Sequence, residues 1–180
     1  MTRVQPIRDK ELLSKFKRFF QEKNERDFIM FLVGTQCGFR ISDILPLRVK
    51  DVLGWDIIVY EKKTDKYREV RMPPELKKAV RKYVDGKSKD EFLFKSRKGK
   101  NQPITRKRAY EILREAAEYF DLERVGTHTL RKTYGYHHYK KFKNIAMLQE
   151  TLNHNNPSDT LIYIGIIQDE LNALQSKVDW

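Results

Sequence analysis

Leu12, Leu13, Phe16, Phe19 and Phe20 recur at helical spacing behind Asp9, so residues 9–22 predict an amphipathic helix capped by Asp9. The stretch 26–37 repeats the pattern with Phe28, Ile29, Phe31, Leu32 and Val33 until Gly38 stops it. A short helix is expected from Ser42 to about Leu47. The period then changes. Ile57, Ile58, Val59 and Tyr60 form a β-branched and aromatic run, residues 67–72 alternate apolar with charged positions, and a polar turn over 63–66 joins them, which predicts a β-hairpin. Pro73 and Pro74 end the hairpin and open a helix bearing Leu76, Ala79, Val80 and Tyr83, while residues 92–94 are read as a third short strand. A basic loop over 95–100 leads to Thr105, the expected cap of a long helix with Ala109, Ile112, Leu113, Ala116, Ala117 and Phe120 on one face. Further helices are expected near 127–141, 144–152, 158–164 and 168–176, punctuated by Gly126, Asn144 and Pro157. The pattern describes an α+β fold, mainly helical, with a small antiparallel β-sheet, and it shows neither a repeat nor a linker.

A length of 180 residues suits one compact domain with a sizeable core. Charge narrows the class of partner: 37 Lys and Arg against 25 Asp and Glu leave a net charge of +12, an excess that wants a polyanion. Nucleic acid is the first candidate, because each neutralised phosphate releases condensed counterions and so drives binding. A membrane surface is disfavoured by the lack of a basic amphipathic helix with an aromatic face and of any lipidation motif. Cys37 is the sole cysteine, which rules out an intramolecular disulfide, argues against a structural zinc site and points to a reducing compartment. Residues 1–10 lack the apolar run of a signal peptide, and no stretch approaches the roughly 20 apolar residues of a membrane span. A soluble, cytoplasmic and nucleoid-associated protein is expected.

Four separated clusters carry residues suited to handling a phosphate. In Cys37-Gly-Phe-Arg-Ile-Ser-Asp43, Arg40 occupies the turn after Gly38, where a guanidinium can fork onto two phosphate oxygens; pairing with Asp43 is the bland alternative. The hairpin turn Lys62-Lys-Thr-Asp-Lys66 projects a lysine-rich tip that also reads as a solvated turn. In Thr127-His-Thr-Leu-Arg-Lys-Thr133, His128 and Arg131 lie three apart and share a helix face, so both can reach one anion. Neither a carboxylate nor a second histidine has the spacing to make His128 a metal ligand. His154 sits at a polar break, and Tyr163 follows among Leu161, Ile162 and Ile164, where an aromatic with its hydroxyl satisfied locally also reads as core.

Taken together and in this order, the clusters closely resemble the tyrosine recombinase (phage integrase) family, whose catalytic domain carries an Arg, a hairpin Lys, His-x-x-Arg, a further His and a nucleophilic Tyr. Gly-Phe-Arg-Ile-Ser-Asp, Lys-Thr-x-Lys-x-Arg and His-x-Leu-Arg carry the resemblance, which runs from about residue 9 to 165. It implies a site-specific DNA recombinase of the integrase or invertase type, working without metal or other cofactor. Tyr163 would form a 3′-phosphotyrosyl link and free a 5′-hydroxyl, which preserves the bond energy for religation. Arg40 and Arg131 would clamp the nonbridging oxygens. Lys63 would protonate the departing oxygen, with Lys62 and Lys66 as rivals. His128 would accept the tyrosine proton or donate to the phosphate, His154 would be another phosphate donor, and Asp43 would support the turn of Arg40. Lys66, Lys98, Lys100, Arg106, Lys107 and Lys132 are expected to contact the DNA backbone, which positions without reading sequence.

Two departures stand out. Asn153 occupies the place where the family commonly has glycine, and asparagine tolerates the left-handed backbone such a turn needs. The chain is also read as a single catalytic domain over 1–180, without the N-terminal core-binding domain with which many relatives clamp DNA, so an accessory DNA-binding protein is a further expected partner. Assembly as a homotetramer on paired double-stranded sites is expected, with residues 168–180, including Leu171, Leu174 and Trp180, docking on a neighbour. Two other readings remain at this point: a DNA-binding regulator that keeps the fold but exchanges no strands, and a relaxing enzyme of the type IB topoisomerase kind.

Overall fold

The computed structural model describes residues 4–178; Trp180 lies outside them. Helix α1 (Lys10–Lys23) starts where Asp9 accepts the Leu12 amide, and α2 (Glu25–Cys37) follows at once, capped by Asn24. Phe16 and Phe20 of α1 bury their rings against Phe31 of α2, with centroids 5.9 and 5.0 Å apart, so the stripe read from the sequence is the seam between the two helices. Gly38 ends α2 at φ 67°, and a side chain there would overlap Tyr134. Both facts demand glycine, and together they fix the sharp exit that leads to Arg40. The short helix α3 spans Ile41–Ile44 and a 3-10 turn covers Val49–Val52.

Strands β1 (Asp56–Glu61) and β2 (Lys66–Arg71) pair antiparallel from Asp56 opposite Arg71 to Glu61 opposite Lys66. Burial alternates along β1, with Ile57, Val59 and Glu61 turned inward. The predicted third strand does not form. Phe92 makes an isolated bridge to Arg48, and Lys95 makes another to Pro103. Proline has no N–H with which to continue a ladder, and the segment between the two bridges turns rather than extends.

Helix α4 (Pro74–Val84) opens with the expected proline, and α5 (Arg106–Tyr119) with the expected Thr105 cap, whose hydroxyl accepts the Arg108 amide. The central α6 (Thr127–Phe142) packs on α2 and carries buried residues all round, from Thr129 to Tyr136. Three short helices complete the fold: α7 (Ile145–Thr151), α8 (Pro157–Ile164) and α9 (Ile166–Gln175). They stand over a small second core of Tyr136, Leu148, Leu152, Ile164 and Ile166. Gly135 is what lets α8 approach α6, since a β-carbon there would lie 2.6 Å from Ile164 Cγ2. Among the described residues, no helix is long and apolar enough to cross a membrane.

Cys37 is buried at the end of α2, where desolvation pushes its thiol up to about 12. That removes it from chemistry at neutral pH.

Candidate active site

Four stretches distant in sequence meet at one face, the last of them contributing two residues. The turn after α2 brings Arg40, the hairpin brings Lys63, the first two turns of α6 bring His128 and Arg131, the α7–α8 turn brings His154, and α8 brings Tyr163. Two adjoining concavities hold them. One of about 290 Å³ is lined by Arg40, Lys63, Arg106, Thr127, His128 and Arg131. Its neighbour, about 460 Å³, is lined by His128, Lys132, His154, Asp159 and Tyr163. His128 stands on the boundary of both.

Arg131 is the best-anchored member. It is 2% exposed, and its guanidinium donates to the carbonyls of Gly38 and Leu152, each at 2.7 Å. The two bonds tie the Arg40 turn and the His154 turn to α6. Burial, reinforced by the nearby Arg40 charge, lowers its pKa to about 10, so it stays cationic at neutral pH. Arg40 is held differently. Its Nη1 lies 3.7 Å from Asp43 and 3.9 Å from the buried Glu61, close enough for attraction but without a hydrogen bond. Asp43, the expected support of this turn, thus stands within ion-pair range, and Nη1 is turned away from solvent toward the two carboxylates.

Tyr163 turns its hydroxyl into the same space, 3.4 Å from His128 Nδ1. Burial raises its pKa; Arg131, Arg40 and a hydrogen bond from Arg131 pull the other way without cancelling that. The phenol is therefore protonated at rest. His128 and His154 are both pushed below the ordinary imidazole value of 6.5, first by burial and then by Arg131. His128 is thus neutral at pH 7 and able to accept a proton. The His154 ring bonds Thr160 Oγ1 at 3.0 Å and packs edge-on against the Tyr163 ring, 4.9 Å between centroids. The turn before it adopts the predicted left-handed backbone, with Asn153 at φ 48°.

The expected DNA-contacting cations fall into two groups. Lys66, Lys98, Lys100, Arg106 and Lys107 are exposed, and Arg106 lines the smaller of the two concavities. Lys132 is buried instead, with its ammonium 4.9 Å from the centroid of the Tyr163 ring. Its alternation with Arg131 along α6 gave no hint of that placement. Glu61 and Thr160 were not singled out from the sequence, although both touch site residues. Glu61 carried a usable signal: it lies on the inward parity of β1, where a carboxylate is out of place without a partner. Among the described residues, no group of three or more His, Cys, Asp and Glu is placed to hold a metal ion.

The phage integrase family model matches residues 8–168. A probable integrase/recombinase, YoeC, of Bacillus subtilis (strain 168) is 47% identical over 171 residues, covering 94% of this chain and 94% of that protein. A tyrosine recombinase of Pseudothermotoga lettingae is 32% identical over 156 residues, which is 84% of this chain and 53% of the relative. In structure, the Tn1549 transposon integrase in complex with circular intermediate DNA superposes with a TM-score of 0.75 at 18% identity, over 91% of this chain and 62% of that one. The matched span contains every residue gathered at the two concavities, and the chain belongs to the phage integrase family.

Proposed function

We propose that the chain is a site-specific tyrosine recombinase, cutting and rejoining double-stranded DNA through a 3′-phosphotyrosyl intermediate. The observation that carries this reading is the meeting of the Tyr163 hydroxyl with His128 beside Arg131, from segments 35 residues apart. In the proposed step, Tyr163 Oη attacks the phosphorus and passes its proton to His128 Nδ1. The bond to the 5′-oxygen breaks, and Lys63 gives that oxygen its proton. Arg40 and Arg131 neutralise the growing charge on the nonbridging oxygens; His154 donates a further hydrogen bond. One such donor is typically worth about 10²–10³ in rate. Rejoining reverses the step, with His128 returning its proton to the tyrosine.

A duplex partner is supported by the charge of +12 and by the DNA-bound Tn1549 integrase. We place Lys66, Lys98, Lys100, Arg106 and Lys107 on the DNA backbone, with Arg106 nearest the reacting phosphate. Lys132 would act there through the Tyr163 ring that it covers. A homotetramer on paired sites, helped by an accessory DNA-binding protein, is the assembly we propose. The exposed Leu171 and Leu174 of α9 fit a docking role, while Arg8 fixes the start of the same helix to its own chain through Asp169 at 2.8 Å. A regulator that only binds DNA has no use for a phenol within reach of a neutral imidazole and two guanidinium groups.

The deciding experiment incubates the protein and its Tyr163→Phe variant with nicked suicide duplexes from its genomic neighbourhood, followed by denaturing electrophoresis. A covalent protein–DNA adduct is expected for the first and none for the second. Binding without any adduct would make the regulator the better account.

A further inference from the structure

The carboxylate of Glu61 is 2% exposed, and burying such a group is strongly unfavourable unless it is well partnered. Its partners come from three directions. Asn153 donates to Oε2 at 2.6 Å, Arg68 lies 3.3 Å from Oε1, and Arg40 approaches the same oxygen at 3.9 Å. The Glu61 carbonyl also accepts the amides of Thr64 and Asp65, which shapes the tip carrying Lys63. One residue thus touches the Arg40 turn, the Lys63 arm and the turn that presents His154.

The quality of these contacts differs in a telling way. Arg68 is anchored through both terminal nitrogens, for it also donates to the carbonyls of Cys37 and Thr151 and lies over the Phe39 ring, leaving only its Nε without a partner. Toward Arg40, by contrast, Glu61 exerts attraction without a hydrogen bond, and both Oε1 of Glu61 and Nη1 of Arg40 lack a hydrogen-bond partner. A carboxylate meant only to neutralise Arg40 would close on it. Here it holds the guanidinium at 3.9 Å, by charge and without a hydrogen bond. On the other side, the Asn153 amide has replaced what glycine would leave empty: a left-handed residue in an exposed turn, tied by its side chain to the hairpin.

We propose that Glu61 is a positioning residue for the recombinase chemistry, aligning Arg40 directly and His154 through Asn153, and coupling both to the Lys63 arm. The proposal rests on the recombinase reading for the identity of its phosphate. The competing account makes Glu61 a core counter-ion of Arg68, important for folding and indifferent to chemistry.

Two substitutions separate these accounts. Glu61→Gln keeps the size and an acceptor for Asn153 while removing the charge facing Arg40; Asn153→Gly keeps the backbone angle while removing the amide. Each variant and the double variant would be compared with the unaltered full chain for melting temperature, duplex Kd and single-turnover cleavage at saturating protein. The expected result is a Kd within about twofold and a cleavage rate at least tenfold lower for Glu61→Gln. Asn153→Gly should lose severalfold, and the double variant should lose less than the product of the two. Cleavage at the original rate in both single variants, with a lowered melting temperature alone, overturns the proposal. If the unaltered chain forms no adduct, the recombinase reading itself fails, and orthovanadate becomes the probe. A thermal-shift Kd for vanadate weakened tenfold in Glu61→Gln retains the positioning role, and an unchanged Kd removes it.

Discussion

His128 joins two demands that pull against each other: in the proposed step it accepts a proton from the half-buried phenol of Tyr163 and yet stands among cations. The same burial and positive neighbours that lower its pKa keep the imidazole neutral, so the crowding of charge favours the base form instead of spoiling it. Since the depressed value lies below 6.5, the acid limb of single-turnover cleavage, where His128 takes up a proton, is expected to be centred below that pH. An acid limb centred above 6.5 would contradict this assignment. The six residues gathered here were legible in the sequence because guanidinium, imidazole, ammonium and phenol groups are rare in such an order and spacing. Glu61, Thr160 and the burial of Lys132 were less legible, because a polar side chain declares its role only through neighbours from other segments. Asn153 shows the intermediate case: the backbone angle followed from its residue type, whereas its bond to Glu61 depends on how the hairpin meets the α7–α8 turn.

Among the elements, α8 matters most, for it carries the nucleophile and rests on α6 through the contact of Ile164 with Gly135. Alanine at 135 would gain about 1 kcal/mol of helix propensity. It would also press on a β-branched side chain with little rotamer freedom, at a cost of about 1–3 kcal/mol. Gly135→Ala is therefore expected to destabilise the protein by about 1 kcal/mol in urea unfolding and to slow cleavage by moving Tyr163. A more stable variant would show that the clash is relieved elsewhere. Helix boundaries were readable where caps and prolines mark them, as at Asp9, Thr105 and Pro74. The supposed strand at residues 92–94 was not, because a run of apolar residues looks alike whether it extends a ladder or makes one bridge. The α6 helix has no apolar stripe, since its buried surface includes Thr129, Arg131, Lys132 and Thr133; its punctuation located it, not its period.

At the scale of the whole molecule, a net charge of +12 makes salt the principal control on DNA affinity. The logarithm of the binding constant should fall linearly with the logarithm of salt concentration. Replacing Lys98 or Lys100 by alanine should reduce the slope by about one for each phosphate that is no longer neutralised, with little change in sequence preference. Slopes unchanged in both variants would remove the 95–100 loop from the interface. With its single thiol sealed at the end of α2, the native chain is expected to behave toward maleimides as a cysteine-free background. A cysteine placed at the exposed Ala173 of α9, leaving Leu171 and Leu174 in place, would be the only reactive handle on each copy. Dyes or cross-linkers attached there report on contacts between copies without any prior change to the interior.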